Sequence, residues 1–142
     1  MKWECLEEII DMRKGMTDLF LLCVDRDDNQ NRKSRLDEIE TKAKEILASD
    51  RLFLAENAWQ ELEVWVLAGH SLPKEWKWQD VRNERDPKEL YFIPFATQKG
   101  VVNQQSQGRK ILAEQADYKS ICQFCDEVRF LENRIKNWLQ KL

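Results

Sequence analysis

The stretch Leu19-Phe20-Leu21-Leu22-Cys23-Val24-Asp25-Arg26-Asp27 decides the fold. Its first six residues are a continuous apolar run of strand length, without the polar alternation of a half-exposed strand. That is the pattern of a strand covered by helices on both faces of a parallel sheet. Upstream, Trp3, Leu6 and Ile10 recur at helical spacing ahead of Arg13-Lys14-Gly15, which is helix-termination chemistry. Downstream, Ser34 with Asp37 forms a capping-box-like start, and Leu36, Ile39, Ala43, Ile46 and Leu47 continue a second helix to about Ser49. Leu52-Phe53-Leu54-Ala55 reads as a second strand. Strand, helix and strand in this order make a βαβ unit, whose crossover brings both strand ends to one sheet edge and places Asp25 near Glu56.

Farther along, residues 57 to 68 predict a third helix, with Ala58, Trp59, Leu62, Trp65 and Val66 on one face, Glu63 flanking that stripe and Gly69 at its end. Between 70 and 107 the pattern is broken by Pro73, Pro87 and Pro94. Asp86-Pro87 with Glu89 marks a helix start there, and 98 to 107 is a polar loop, so the segment is expected to be an irregular insertion. From 108 to 142 helices return. Ile121, Phe124, Val128, Leu131, Ile135, Trp138 and Leu142 alternate three- and four-residue steps, a seam over one long final helix that serves the core, a protein partner or a second copy of the chain. The expectation is one helix-rich α/β domain over 1–142, with its βαβ core in 1–69.

Composition agrees with that size. At 142 residues and 42% hydrophobic, the chain can bury a core, and with 4 Gly and 3 Pro it has little material for long loops. Basic residues number 23 against 26 acidic ones, a net charge of −3, so no global field draws in nucleic acid and any such contact must be local. No apolar run approaches the roughly 20 residues that cross a bilayer. The acidic opening Trp3-Glu4-Cys5-Leu6-Glu7-Glu8 is unlike a signal peptide. No membrane partner is expected, and the location read from these features is cytoplasmic. Cys5, Cys23, Cys122 and Cys125 are few for a disulfide scaffold. Cys122-Gln123-Phe124-Cys125 has zinc half-site spacing without a second cysteine pair, and His70 is the one histidine, so ordinary packing is the expectation.

Asp25 and Asp27 carry the chemistry. Two carboxylates one residue apart at the carboxyl end of a parallel strand can share a hard cation through oxygen ligands, and magnesium, or manganese in its place, suits phosphodiester chemistry. Other chemistries begin with the same letters. A calcium loop would need glycine at Gln30 and glutamate at Leu36. A haloacid-dehalogenase phosphatase would follow the pair with small or β-branched residues where Asp28 and Asn29 stand. A receiver domain would need an acidic pair on an earlier strand. A nucleotide-sugar transferase also uses Asp-x-Asp, and a polar turn after a strand uses these residues with no chemistry at all.

Leu21-Leu22-Cys23-Val24-Asp25-Arg26-Asp27 and the later Glu61-Leu62-Glu63-Val64-Trp65-Val66-Leu67-Ala68 together resemble the Toprim-related, nuclease-like bacterial proteins grouped as a domain of unknown function. The relevant pattern is a strand ending in Asp-x-Asp and a helix reading roughly Glu-x-Trp-x-x-Ala; the stretch from Gly108 to Ile135 is similar as well. The resemblance implies a Toprim-like parallel sheet flanked by helices, as in topoisomerases, primases and overcoming-lysogenization-defect nucleases. It implies a magnesium-dependent nuclease, in phage defence or a toxin system, with Asp25 and Asp27 as metal ligands. Glu63 is the next candidate, as a ligand or as organiser of the metal-bound water, ahead of Glu61 and Glu56. Toprim domains carry a further glutamate after an earlier strand, and only one helix is read ahead of Leu19. An incomplete N-terminal side is therefore expected, as in a fragment, a subunit completed by another protein, or an inactive descendant serving as an interaction or regulatory module.

Lys74, Trp76, Lys77, Trp78, Arg82 and Arg85 interleave cations with aromatic rings, a combination able to hold phosphates and stack bases of DNA or RNA. Equally, the tryptophans can cap the core beneath solvated cations. Lys99, Arg109 and Lys110 are candidates to meet the charge of a transferring phosphoryl group, with Lys99 in the catalytic role and the other two as nucleic-acid contacts.

Overall fold

Two parallel strands organise the first part of a computed structural model that describes residues 2–142. They are β1 (Leu19–Val24) and β2 (Leu52–Asn57), in register from Leu19 opposite Leu52 to Val24 opposite Asn57. Helix α1 (Trp3–Arg13) precedes them and α2 (Arg32–Ile46) makes the crossover. Because strand side chains alternate, Phe20, Leu22, Val24, Phe53 and Ala55 share one face, and they pack with Ile10 of α1 and Leu36 and Ala43 of α2 in a first core. The βαβ reading therefore holds. Three boundaries differ: β2 runs on to Asn57, α2 starts at Arg32, with Ser34 inside its first turn and no side-chain cap at Asn31, and α2 ends at Ile46 rather than near Ser49.

The rest of the chain is helical. It comprises α3 (Glu63–Ala68), α4 (Trp78–Asn83), a π-turn at Lys88–Phe92, α5 (Ile93–Gln98), a 3₁₀ turn at Gln105–Gly108, α6 (Arg109–Gln115), α7 (Tyr118–Phe124) and α8 (Asp126–Leu139). Three sequence expectations change here. The helix expected from 57 begins only at Glu63, and residues 58–62 form a turn. The segment 70–107 is largely helical, because Pro87 caps the π-turn and Pro94 sits in the first turn of α5, where a missing N–H costs nothing. Its Val81, Phe92, Phe95 and Ala96 join Leu67 of α3 and Leu112 of α6 in a second core. The expected long terminal helix breaks at Cys125, whose extended backbone (φ −120°, ψ 98°) separates α7 from α8.

The terminal seam packs mostly inward: Val128 and Leu131 are buried, while Phe124 and Leu142 remain exposed. The two edges of the sheet are finished differently. Glu40 of α2 accepts the Ala55 N–H of β2 (2.7 Å) and is itself held by both guanidinium nitrogens of Arg134 from α8 (3.0 and 2.5 Å). A strand N–H lies in the sheet plane, so this network seals the side of β2 away from β1. Among the described residues β1 pairs only with β2, and Leu21 at its middle is half exposed. No described helix is long and apolar enough to cross a membrane.

Candidate functional site

Parallel pairing puts the ends of β1 and β2 side by side, with Cys23 opposite Glu56 and Asp25 just beyond. The turn 58–62 then folds back over the loop that follows β1. The carbonyl of Gln60 accepts the N–H groups of Arg26 (2.8 Å) and Asp27 (3.2 Å), and its side-chain Oε1 accepts that of Asp28 (3.1 Å). Gln60 is buried. Its three bonds hold Asp27 (φ 50°) and Asp28 (φ 58°) in the left-handed region, at a cost of roughly 1–2 kcal/mol per residue. Such a position favours Asp or Asn over bulkier residues.

Past the strand end, alternation no longer sets direction, and the two aspartates are held in different ways. Asp25 turns inward and accepts the Leu62 N–H (2.7 Å). Asp27 is exposed and meets Arg32 (3.3 Å). Burial pushes the Asp25 carboxyl above its ordinary value, and the nearby charges of Glu63 and Asp27 add to that, against the Leu62 N–H and Arg109. Glu61 is raised for the same reasons: burial first, then Glu63 and Asp25, opposed by the Lys88 N–H (2.9 Å) and the Lys88 charge.

Glu63 is not the solvated flank charge that its place beside an apolar stripe allows. It is 4% exposed at the start of α3 and ion-paired to Arg109 from the first residue of α6. Gly108 makes that delivery possible. At φ +78°, a Cβ there would stand 2.6 Å from Val101 Cγ2 and 2.7 Å from the Val101 carbonyl oxygen. Asp25, Glu61, Glu63 and Arg109 thus come within electrostatic reach of one another, with Asp27 at the rim. No three His, Cys, Asp or Glu side chains among the described residues are grouped closely enough to ligate one ion together.

The remaining candidates scatter. Lys99 lies exposed over the Phe95 ring (5.4 Å). Trp76 packs edge-on against Tyr91 (5.0 Å) at the rim of the second core, while Lys74 and Lys77 are exposed. Arg82 forms a two-point pair with Glu127 (3.2 and 2.8 Å), which also accepts the Trp65 indole N–H (2.9 Å). Burial alone would raise Glu127, but those bonds outweigh it and lower the carboxyl. Lys110 is solvated, 3.9 Å from Glu114. His70 hydrogen-bonds the Leu112 carbonyl oxygen (2.8 Å), and the Cys125 thiol is pushed up to about 12 by burial and Glu127, as befits packing residues.

Sequence reasoning missed Gln60, whose role depends on a turn read as helix, and the Glu63–Arg109 pairing, whose partners lie 46 residues apart. Compared with known proteins, the chain matches no family model, no curated protein and no solved structure.

Proposed function

We propose that this chain is a magnesium-dependent, nuclease-like domain that hydrolyses phosphodiesters, as the Toprim resemblance implies. One observation carries the reading: Asp25 stands at the carboxyl edge of a parallel sheet, the usual place for ligands in such folds, within electrostatic reach of Glu61, of Glu63 and of Arg109, which pairs with Glu63. The donor type suits a hard divalent ion, since it is carboxylate oxygen throughout. Asp25 and Asp27 would hold it; magnesium commonly takes one or two carboxylates and leaves the other positions to water and phosphate. Once bound, such an ion neutralises phosphoryl charge and acidifies water. Glu63 fixes the half-exposed Arg109 guanidinium where phosphate charge can meet it. Glu61, held by the Lys88 N–H, is the candidate to take a proton from the attacking water.

A second reading is a non-catalytic interaction or regulatory module. The open edge of β1 and the exposed side chains of Ile9, Met12, Met16 and Leu21 favour it. Magnesium or manganese titration followed by thermal unfolding, together with a plasmid-nicking assay, separates the two. The first reading expects a metal-dependent rise in Tm and nicking, both lost in Asp25→Ala and the nicking also in Asp27→Ala. An unaltered chain with no metal response decides for the second.

A further inference from the structure

Beside the acidic cluster, and sharing its loop, lies a cavity of about 420 Å³ at the carboxyl ends of both strands. That is within the range of roughly 300–1,000 Å³ typical of small-ligand sites. Glu56 and Asn57, the last two residues of β2, reach it and are both buried. The Glu56 side chain is 9% exposed, yet its partners are few. Oε1 accepts only its own neighbour's N–H, that of Asn57 (3.0 Å), and Oε2 has a single long contact with half-exposed Lys33 (3.5 Å). Asn57 spends its Nδ2 on the Ala58 carbonyl oxygen (2.9 Å), leaving Oδ1 as a further acceptor. A carboxylate this buried is costly unless its oxygens are bonded.

Aromatic surface completes the cavity. Trp59 is 41% exposed with the Arg26 guanidinium 4.1 Å and the Arg82 guanidinium 5.6 Å from its ring centre, and Phe130 of α8 is 58% exposed. An exposed indole with a guanidinium plane against it is a platform on which a flat heteroaromatic ring stacks. The charges lining the cavity balance: Arg26, Lys33 and Arg82 stand against Glu56, Asp126 and Glu127. A neutral ring therefore suits it better than a free phosphate.

We propose that this cavity is a subsite for one unstacked guanine base of single-stranded nucleic acid, with Glu56 reading its edge and Trp59 stacking on its face. The choice of base follows from the acceptor-only character of a carboxylate. Guanine alone presents two adjacent N–H donors on its pairing edge, with an oxygen beside them for Lys33. Adenine and cytosine set an acceptor next to their amino group, and thymine and uracil flank their one N–H with oxygens. The inference rests on the nucleic-acid reading of the neighbouring cluster and names the class of strand that cluster would receive.

The test is fluorescence anisotropy of labelled seven-nucleotide single strands, a thymidine background carrying one central guanine, adenine or thymine, with chelator present throughout. The guanine strand should bind about tenfold tighter than the others. Trp59→Ala should weaken all three about tenfold, and Glu56→Gln, which exchanges one acceptor for a donor, should erase the guanine preference alone. Thermal unfolding confirms that each variant folds. Equal affinity for the three strands, no binding, or a preference that survives Glu56→Gln would overturn the proposal. Because no metal is present, a negative nicking assay does not bear on this result, and uniform affinity removes the subsite whatever the nicking assay gives.

Discussion

The two parts of this chain reach their cores by different routes. Residues 3–57 carry one βαβ unit in which strand alternation and two long helices bring Ile10, Leu36, Ala43, Phe53 and Ala55 together. Apart from the continuous helical run 87–98, in which the π-turn leads into α5, residues 63–124 are built from helices of seven residues or fewer, far below the roughly 12–15 residues at which an isolated helix holds in water. Such helices exist because they are packed, around Leu67, Val81, Phe92, Phe95, Ala96 and Leu112. The candidate site lies on the seam, Asp25 coming from the first part, Glu63 and Arg109 from the second, and Glu61 from the turn between them. Its geometry therefore depends on both cores being formed.

The largest expected effects test that dependence. Phe92→Ala empties a fully buried site in the second core and should cost about 3–5 kcal/mol, and Leu36→Ala in the first about 2–5 kcal/mol. Urea unfolding followed both by tryptophan fluorescence and by far-ultraviolet dichroism should give coincident transitions in each variant. Two separated transitions would make the parts independent units and break the comparison.

A smaller effect is expected at the seam. Gly108→Ala forces a Cβ into Val101 at a left-handed backbone position and should lower stability by roughly 1–3 kcal/mol, displacing Arg109 from Glu63. Gly15→Ala, with open space around the added carbon, is the control and should be nearly neutral.

The smallest effect is on pH dependence. Because the folded-state pKa of Asp25 is raised, the folded chain binds more protons than the unfolded one just above the ordinary carboxylate value of 3.8. Stability contributed there falls as pH rises. Asp25→Asn should flatten that part of a stability-versus-pH curve. Glu127, whose carboxyl is lowered, works in the opposite direction: below 4.5 its contribution is lost as pH falls, and Glu127→Gln should remove that loss.

The difference between the parts also explains what was legible in the sequence. Leu19 to Val24 announces a strand because six apolar residues in a row leave little else, but the cover on both faces that the run implies is not found: none of the six is fully buried and Leu21 is half exposed. Leu36 to Leu47 keeps helical spacing long enough to be read. The helix start read at Asp86-Pro87 is where the π-turn begins, whereas Pro94, read only as a break, sits in the first turn of α5. Nothing in the spacing of Ile121, Phe124 and Val128 reveals the break at Cys125, because the three- and four-residue steps continue through it. Asp25 and Asp27 stand out by their place after a strand. The burial of Glu63 is invisible, since its cause, Arg109, arrives on a distant helix.

Gln60 has a consequence for motion. The amide protons of Arg26, Asp27 and Asp28, in the loop after β1, all end on this one residue, so separation of that loop from the turn 58–62 releases them together. They should show a common protection factor against deuterium exchange, set by how often the loop and the turn 58–62 part. That shared factor would measure the opening of the loop that holds Asp25 and Asp27, with no ligand or activity needed to see it.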